Sequence, residues 1–86
     1  MALDKKPAKE VIGKVVVTKE GKRLGIVKDV TFETRTGELI QLMLKETTPY
    51  SKHLNLEMAS TKEPLIPYNT IIAIGDFVVV NEDDML

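Results

Sequence analysis

The sequence predicts a mostly β protein: a small antiparallel β-barrel of five or six strands with one short helical turn. β-Branched and other apolar residues gather in short runs, as at Val15, Val16 and Val17, and such runs favour strands over helices. Glycine turns, for example at Gly21 and Gly37, separate these runs. Closing the sheet removes exposed edge strands, which a small all-β domain needs to avoid.

The first half of the chain contains three predicted strands. The first strand covers residues 11–18 and turns at Gly21 into a second strand at residues 24–34. The apolar alternation of the second strand slips near Lys28, which indicates a β-bulge. The third strand, at residues 39–46, carries apolar residues on both of its sides.

The second half of the chain is less regular. Pro49 ends the third strand because proline cannot donate to a ladder, and residues 47–64 then form a long loop or an extra hairpin. Four further elements follow: a short edge strand at residues 65–68, a helical turn at Asn69 and Thr70, an apolar run at residues 71–74 and a final strand at residues 77–81.

A chain of 86 residues is expected to form one domain. We place this domain at residues 11–81, between a flexible lead at residues 1–10 and an acidic tail at residues 82–86. A domain of this size has a modest core and can gain stability by pairing with another copy, so we expect a homodimer.

The composition argues against several classes of protein. The chain has no cysteine, which removes disulfides and thiolate chemistry. No apolar run approaches the roughly 18 residues of a membrane-spanning helix, and the first residues lack the apolar stretch of a signal peptide. We therefore expect a cytoplasmic protein without direct membrane insertion.

No group of residues has a catalytic or metal-binding pattern. His53 is the only histidine and has no triad-like partners. The acidic run that begins at Glu82 lacks the spacing of a calcium loop, and Gly21 and Gly25 lack the lysine and the helix of a phosphate loop. The sequence therefore predicts no enzyme activity, no catalytic residue, no metal site and no cofactor.

Large apolar residues in the polar segment 47–64 are the candidate protein-binding residues. They either fold back to plug the end of the barrel or anchor a partner protein. Two residues on the outer side of the third strand could join the same surface. The candidates are Leu39, Met43, Tyr50, Leu54, Leu56 and Met58.

A basic hairpin offers an alternative function. Lys19, Lys22 and Arg23 lie on one predicted turn and could contact RNA phosphates, as in a ribosome-maturation module. No aromatic residue lies between these charges to stack on a base, and the sequence pI is about 5.8. Protein binding is therefore the leading interpretation, and nucleic-acid binding is the alternative.

The order of these segments resembles the PRC-barrel family. The resemblance rests on residues 11–16 (VIGKVV), 21–30 (GKRLGIVKDV), 36–39 (TGEL), and 65–68 (LIPY) with 74–80 (IGDFVVV). No single stretch is diagnostic, but their order and spacing together are specific and cover most of residues 11–81.

This resemblance implies a binding scaffold rather than an enzyme. Members of the family include a domain of the photosynthetic reaction centre H subunit, a domain of a ribosome maturation factor and stand-alone archaeal proteins, to which this chain is most similar. The stand-alone archaeal proteins are implicated in cell division, where they bind the SepF protein that anchors FtsZ to the membrane. The resemblance therefore implies an adaptor that binds a SepF-like partner and reaches the division site through it.

Overall fold

The computed structural model describes residues 8–85 and confirms the mostly β fold. Within this part of the chain there are seven strands, where the sequence predicted five or six. The strands are β1 (Val15–Thr18), β2 (Arg23–Phe32), β3 (Leu39–Lys45), β4 (Glu57–Met58), β5 (Pro64–Pro67), β6 (Ile71–Ile74) and β7 (Phe77–Val80). The helical elements are α1 (Ala8–Val11) and three 3-10 helices, η1 (Pro49–His53), η2 (Tyr68–Thr70) and η3 (Glu82–Met85).

All seven strands belong to one sheet, in the order β4-β5-β3-β2-β1-β7-β6. Its neighbouring strands are antiparallel, as predicted, except that β1 and β7 run parallel, with Val15 beside Phe77. The local sequence pattern does not reveal which distant strand pairs with β1, or in which direction. The strand predicted as an edge at residues 65–68 is β5, and it lies inside the sheet between β3 and β4.

The connection between β5 and β6 forces the sheet to curl. These strands are five positions apart in the sheet, which would be about 24 Å if the sheet were flat. Only η2 joins them, and the chain from Pro67 to Ile71 can span at most about 14 Å. The sheet must therefore roll until its two ends approach, although β4 and β6 do not pair with each other within residues 8–85.

Side chains fill the inside of the rolled sheet. Alternate residues point inward, so that Val16 on β1 and Val78 and Val80 on β7 are fully buried. The core comprises Val11, Val16, Leu24, Val27, Leu42, Leu44, Leu54, Ile66, Val78, Val80 and Met85. A β-roll of this size is filled by its own side chains, so contacts with other molecules are expected on its outer surface.

Two irregularities of the sheet follow the sequence prediction. Gly21 has a φ of 89°, which glycine adopts without strain, and it forms the tight turn between β1 and β2. The register between β2 and β3 shifts between Val27 and Asp29, at the predicted bulge. Gly25 lies where β2 approaches the end of β3, because a Cβ atom at this position would be 2.9 Å from the Lys45 carbonyl oxygen.

The N-terminal boundary of the domain differs from the prediction. α1 occupies residues 8–11, and Val11 at its end is buried in the core. Gly13 then turns the chain with a φ of 93°, and its N–H donates to the Val27 carbonyl at 2.9 Å. The first strand therefore begins at Val15 rather than at residue 11. Residues 1–7 of the predicted flexible lead lie outside the described residues.

The acidic end of the chain also differs from the prediction of a separate tail. It folds as η3, with Glu82 and Met85 both buried. The Met85 side chain joins the core, and its carbonyl accepts a hydrogen bond of 2.7 Å from the Asn55 N–H. The final turn is therefore packed against the domain, and Leu86 lies outside the described residues.

Candidate protein-binding surfaces

Segment 47–64 contains both a helix and a short hairpin. η1 begins with Pro49, a residue suited to the first turn of a helix, where its missing N–H is not needed. β4 then pairs with β5, so that Met58 lies opposite Pro64. Of the two alternatives for this segment, the extra hairpin is present, and it forms within the chain.

The large residues of this segment divide into buried and exposed members. Leu54 is 7% exposed and belongs to the core, which replaces its predicted role as a surface contact. Tyr50 and Leu56 are half-buried and pack against the core. Met58 is 53% exposed. The first three residues therefore pack against the core, while Met58 lies on the surface.

Tyr50 joins three parts of the chain. Its hydroxyl donates a hydrogen bond to Oε2 of the buried Glu82 carboxylate, and this bond is the main cause that raises the pKa of Tyr50 to about 12. Lys22 places its Nζ 5.2 Å from the centre of the Tyr50 ring. Tyr50 thus connects η1 to η3 and to the β1–β2 turn, and these contacts give it a structural role.

The two candidates on β3 lie in different environments. Leu39 packs against the core, whereas Met43 is half-buried on the side opposite Leu42 and Leu44. Leu39 and Met43 would share a side in a regular strand, but the register between β2 and β3 shifts between Thr31 and Phe32, near the start of β3. Leu39 is therefore placed as a core contact, and only Met43 lies on the outer side as predicted.

A groove with a volume of about 340 Å³ lies beside η1 and β4. Its apolar lining comes from the predicted segment and from the start of β5, and it has two exposed lysines. The lining residues are Thr47, Ser51, Lys52, Leu54, Leu56, Met58, Lys62 and Pro64. Three predicted residues therefore meet in one groove, whereas its lysines were not predicted because charged residues in a polar loop give no distinctive pattern.

The acidic residues near this groove already have partners. Gln41 Nε2 donates to Glu57 Oε1 at 3.1 Å, and Lys28 Nζ lies 2.7 Å from Glu63 Oε2. The hydrogen bond from Lys28 lowers the pKa of the Glu63 carboxyl. Lys52 and Lys62, in contrast, have no ion-pair partner among residues 8–85, so the groove presents positive charge beside apolar surface.

The predicted basic hairpin is partly engaged within the chain. Lys19 Nζ lies 3.2 Å from Asp83 Oδ2 on η3, and Lys22 lies over the Tyr50 ring. Arg23 is exposed at the start of β2. These three residues are close in sequence, but in the structure two of them, Lys19 and Lys22, already have contacts within the chain.

A second apolar surface escaped prediction from the sequence. On the outside of the sheet, Phe77 is 52% exposed and Ile72 is 50% exposed. Both belong to strands whose sequences are apolar at every position, and such runs are normally assigned entirely to the core. The signal that could have revealed this surface is the absence of polar alternation in these strands.

The described part of the chain contains no cluster of three His, Cys, Asp or Glu side chains suited to a metal ion. His53 is exposed at the end of η1, with its ring centre 6.0 Å from that of Tyr50. Among residues 8–85, no helix is long and apolar enough to span a bilayer.

Comparison with known proteins assigns this fold to a family. A model of the PRC-barrel domain matches residues 4–85. The chain is also 31% identical over 83 residues to an uncharacterized protein of Methanocaldococcus jannaschii, an alignment that covers 96% of this chain and 89% of that protein. The chain therefore belongs to the PRC-barrel family. PRC-barrels are non-catalytic interaction domains, which makes this chain a small binding module.

Proposed function

We propose that this chain is a non-enzymatic adaptor of archaeal cell division that binds the SepF-type anchor of the FtsZ ring. It acts in the cytoplasm and reaches the division site through this partner. Membership of a family of interaction domains supports a binding role. The observation that carries the proposal is the groove beside η1 and β4, where apolar surface lies together with two lysines that have no ion-pair partner among residues 8–85.

The groove has features that fit a protein segment. Met58 offers an exposed apolar contact, and Leu56 continues this apolar surface toward the core. Lys52 and Lys62 add positive charge that would attract carboxylates on the partner and fix its orientation. The groove therefore suits an apolar segment of the anchor protein flanked by acidic residues.

Direct calorimetric titration of the purified chain with the SepF-type anchor from the same organism tests this proposal. We expect saturable binding that Met58→Glu weakens at least tenfold, because a buried contact at the centre of an interface carries much of the binding energy. The double variant Lys52→Glu, Lys62→Glu should also weaken binding, and the loss of affinity should be larger at low salt than at high salt.

Phe32→Glu is the matched control, because Phe32 is an exposed apolar residue at the last position of β2 and is not among the residues that line the groove. Its affinity for the anchor should equal that of the unaltered chain. Absence of anchor binding, or equal weakening by Phe32→Glu and Met58→Glu, would contradict the proposal. Tight binding of ribosomal RNA that is lost with Lys22→Glu would instead support the alternative.

A further inference from the structure

Three neighbouring strands of the sheet contain no charged residue. β1 reads VVVT, β7 reads FVVV and β6 reads IIAI, and they are adjacent in the order β1-β7-β6. Continuous apolar strands are typical of sheets that are covered on both faces. The inner face of these strands packs on the core, while side chains on the outer face are half-buried or exposed, with Phe77 and Ile72 the most exposed large side chains. Within residues 8–85, no segment covers the outer face as its sequence indicates.

The strand register gathers these outward side chains into one patch. Val15 lies beside Ile26 on β2 and beside Phe77 on β7, and Val17 lies beside Val79. Ala73 on β6 continues the patch next to Val79. We call this patch the outer apolar face, and it consists of Val15, Val17, Ile26, Ile72, Ala73, Phe77 and Val79.

We propose that a second copy of this chain covers the outer apolar face in a two-fold symmetric dimer. The proposal gives a location to the homodimer expected from the small size of the chain, and it is independent of the groove. The charges around the face favour a second copy. Arg23 lies beside Val17 at one corner, and Asp76 precedes Phe77 at the opposite corner, and both residues are exposed.

A two-fold axis in the plane of the face, along the diagonal that does not pass through Arg23 and Asp76, places each Arg23 over Asp76 of the other copy. The strands of the two sheets then cross near 90°, which is one of the two arrangements that packed sheets adopt. The net charge of the chain is -1, so two copies repel each other weakly. The charges at the corners of the face are thus complementary to those of a second copy.

Light scattering of the full chain over a hundredfold range of concentration tests the apolar part of the proposal. We expect the mass of a dimer, and we expect Phe77→Glu and Ile72→Glu each to weaken dimerisation at least tenfold. Met58→Glu is the matched control, because Met58 is equally exposed but lies on β4, and it should keep the dimer mass. Circular dichroism checks that each variant remains folded.

A charge exchange tests the arrangement of the two copies. Arg23→Glu and Asp76→Arg should each weaken dimerisation, and the double variant should restore it, because the exchange rebuilds the paired charges. A monomer at every concentration would overturn both the location and the homodimer. A dimer that survives Phe77→Glu, or a double variant without restoration, would overturn this location while leaving the homodimer and the groove intact.

Discussion

Gly25 shows how one missing side chain allows two strands to approach. A Cβ atom at this position would be 2.9 Å from the Lys45 carbonyl oxygen and 3.3 Å from Cγ2 of Thr47. The carbonyl belongs to the backbone of β3 and cannot move without shifting the strand. The close approach of β2 to the end of β3 therefore depends on glycine at this position.

Gly25→Ala should lower the free energy of unfolding by about 1–3 kcal/mol, as overpacking against fixed atoms does. Urea denaturation measures this loss. Gly75→Ala is the control, because no atom of the described residues lies within 4 Å of a Cβ there, and its free energy of unfolding should change by no more than about 0.5 kcal/mol. Equal losses for the two variants would show that crowding at Gly25 is not the cause.

Tyr50 gives the stability of the domain a dependence on alkaline pH. Its neutral hydroxyl donates to the Glu82 carboxylate, and this bond raises its pKa from 10.0 to about 12. A group whose pKa is higher in the folded state stabilises that state fully below its unfolded pKa. This contribution is then lost as the pH rises from about 10 through 12.

Tyr50→Phe should therefore be less stable than the unaltered chain at neutral pH, and the difference should shrink as the pH rises toward 12. Denaturant titrations at several pH values compare the two proteins, and tyrosinate absorbance follows the ionisation directly. A stability difference that stays constant up to pH 12 would contradict the role of the hydrogen bond.

At the scale of elements, η3 belongs to the folded domain. Met85 is 4% exposed and packs in the core, and its carbonyl binds the Asn55 N–H next to η1. The Tyr50–Glu82 bond adds a second connection between η1 and η3. The acidic end of the sequence therefore helps to hold segment 47–64 in place.

Met85→Ala should lower the free energy of unfolding by about 2–5 kcal/mol, because it removes a buried side chain and leaves a cavity. Thermal and urea unfolding both report this loss. Asp84→Ala changes an exposed residue of the same turn and should leave stability almost unchanged. If Met85→Ala leaves the free energy of unfolding unchanged, η3 does not pack as described.

Local patterns predicted most elements of this fold because they depend on neighbouring residues. The β-branched run of β1, the glycine turn at Gly21 and the bulge near Lys28 are all readable within a few positions. The parallel pairing of β1 with β7 depends on contacts across the whole chain, which no local pattern encodes. The packing of Met85 also depends on distant partners, so the end of the chain was predicted as a tail.

The candidate sites were predicted less completely than the fold. Leu56 and Met58 were identified as large residues in a polar segment, but Leu54 in the same segment turned out to be part of the core. Exposure depends on tertiary packing, and alternation in a two-residue strand such as β4 is too short to indicate it. The sequence predicts that Phe77 lies on a strand, but for the same reason it does not predict that its side chain is exposed on the outside of the sheet.

At the scale of the whole molecule, the two proposed surfaces are built from different strands. The groove is built from η1, β4 and β5, whereas the outer apolar face is built mainly from β1, β7 and β6. These strand groups occupy opposite ends of the sheet order. A dimer through the outer apolar face therefore uses other strands than those of the groove, and the two proposed surfaces share no residue. Such a dimer could hold two anchor proteins at once and gain avidity on a polymeric ring.

Hydrogen exchange of the chain, alone and in complex with the SepF-type anchor, tests most directly whether the protein works by binding through its groove. We expect the complex to slow exchange in residues 52–64, which contain most of the groove lining, and to leave residues 19–23 unchanged. Protection confined to residues 19–23, or no protection anywhere on addition of the anchor, would contradict this account.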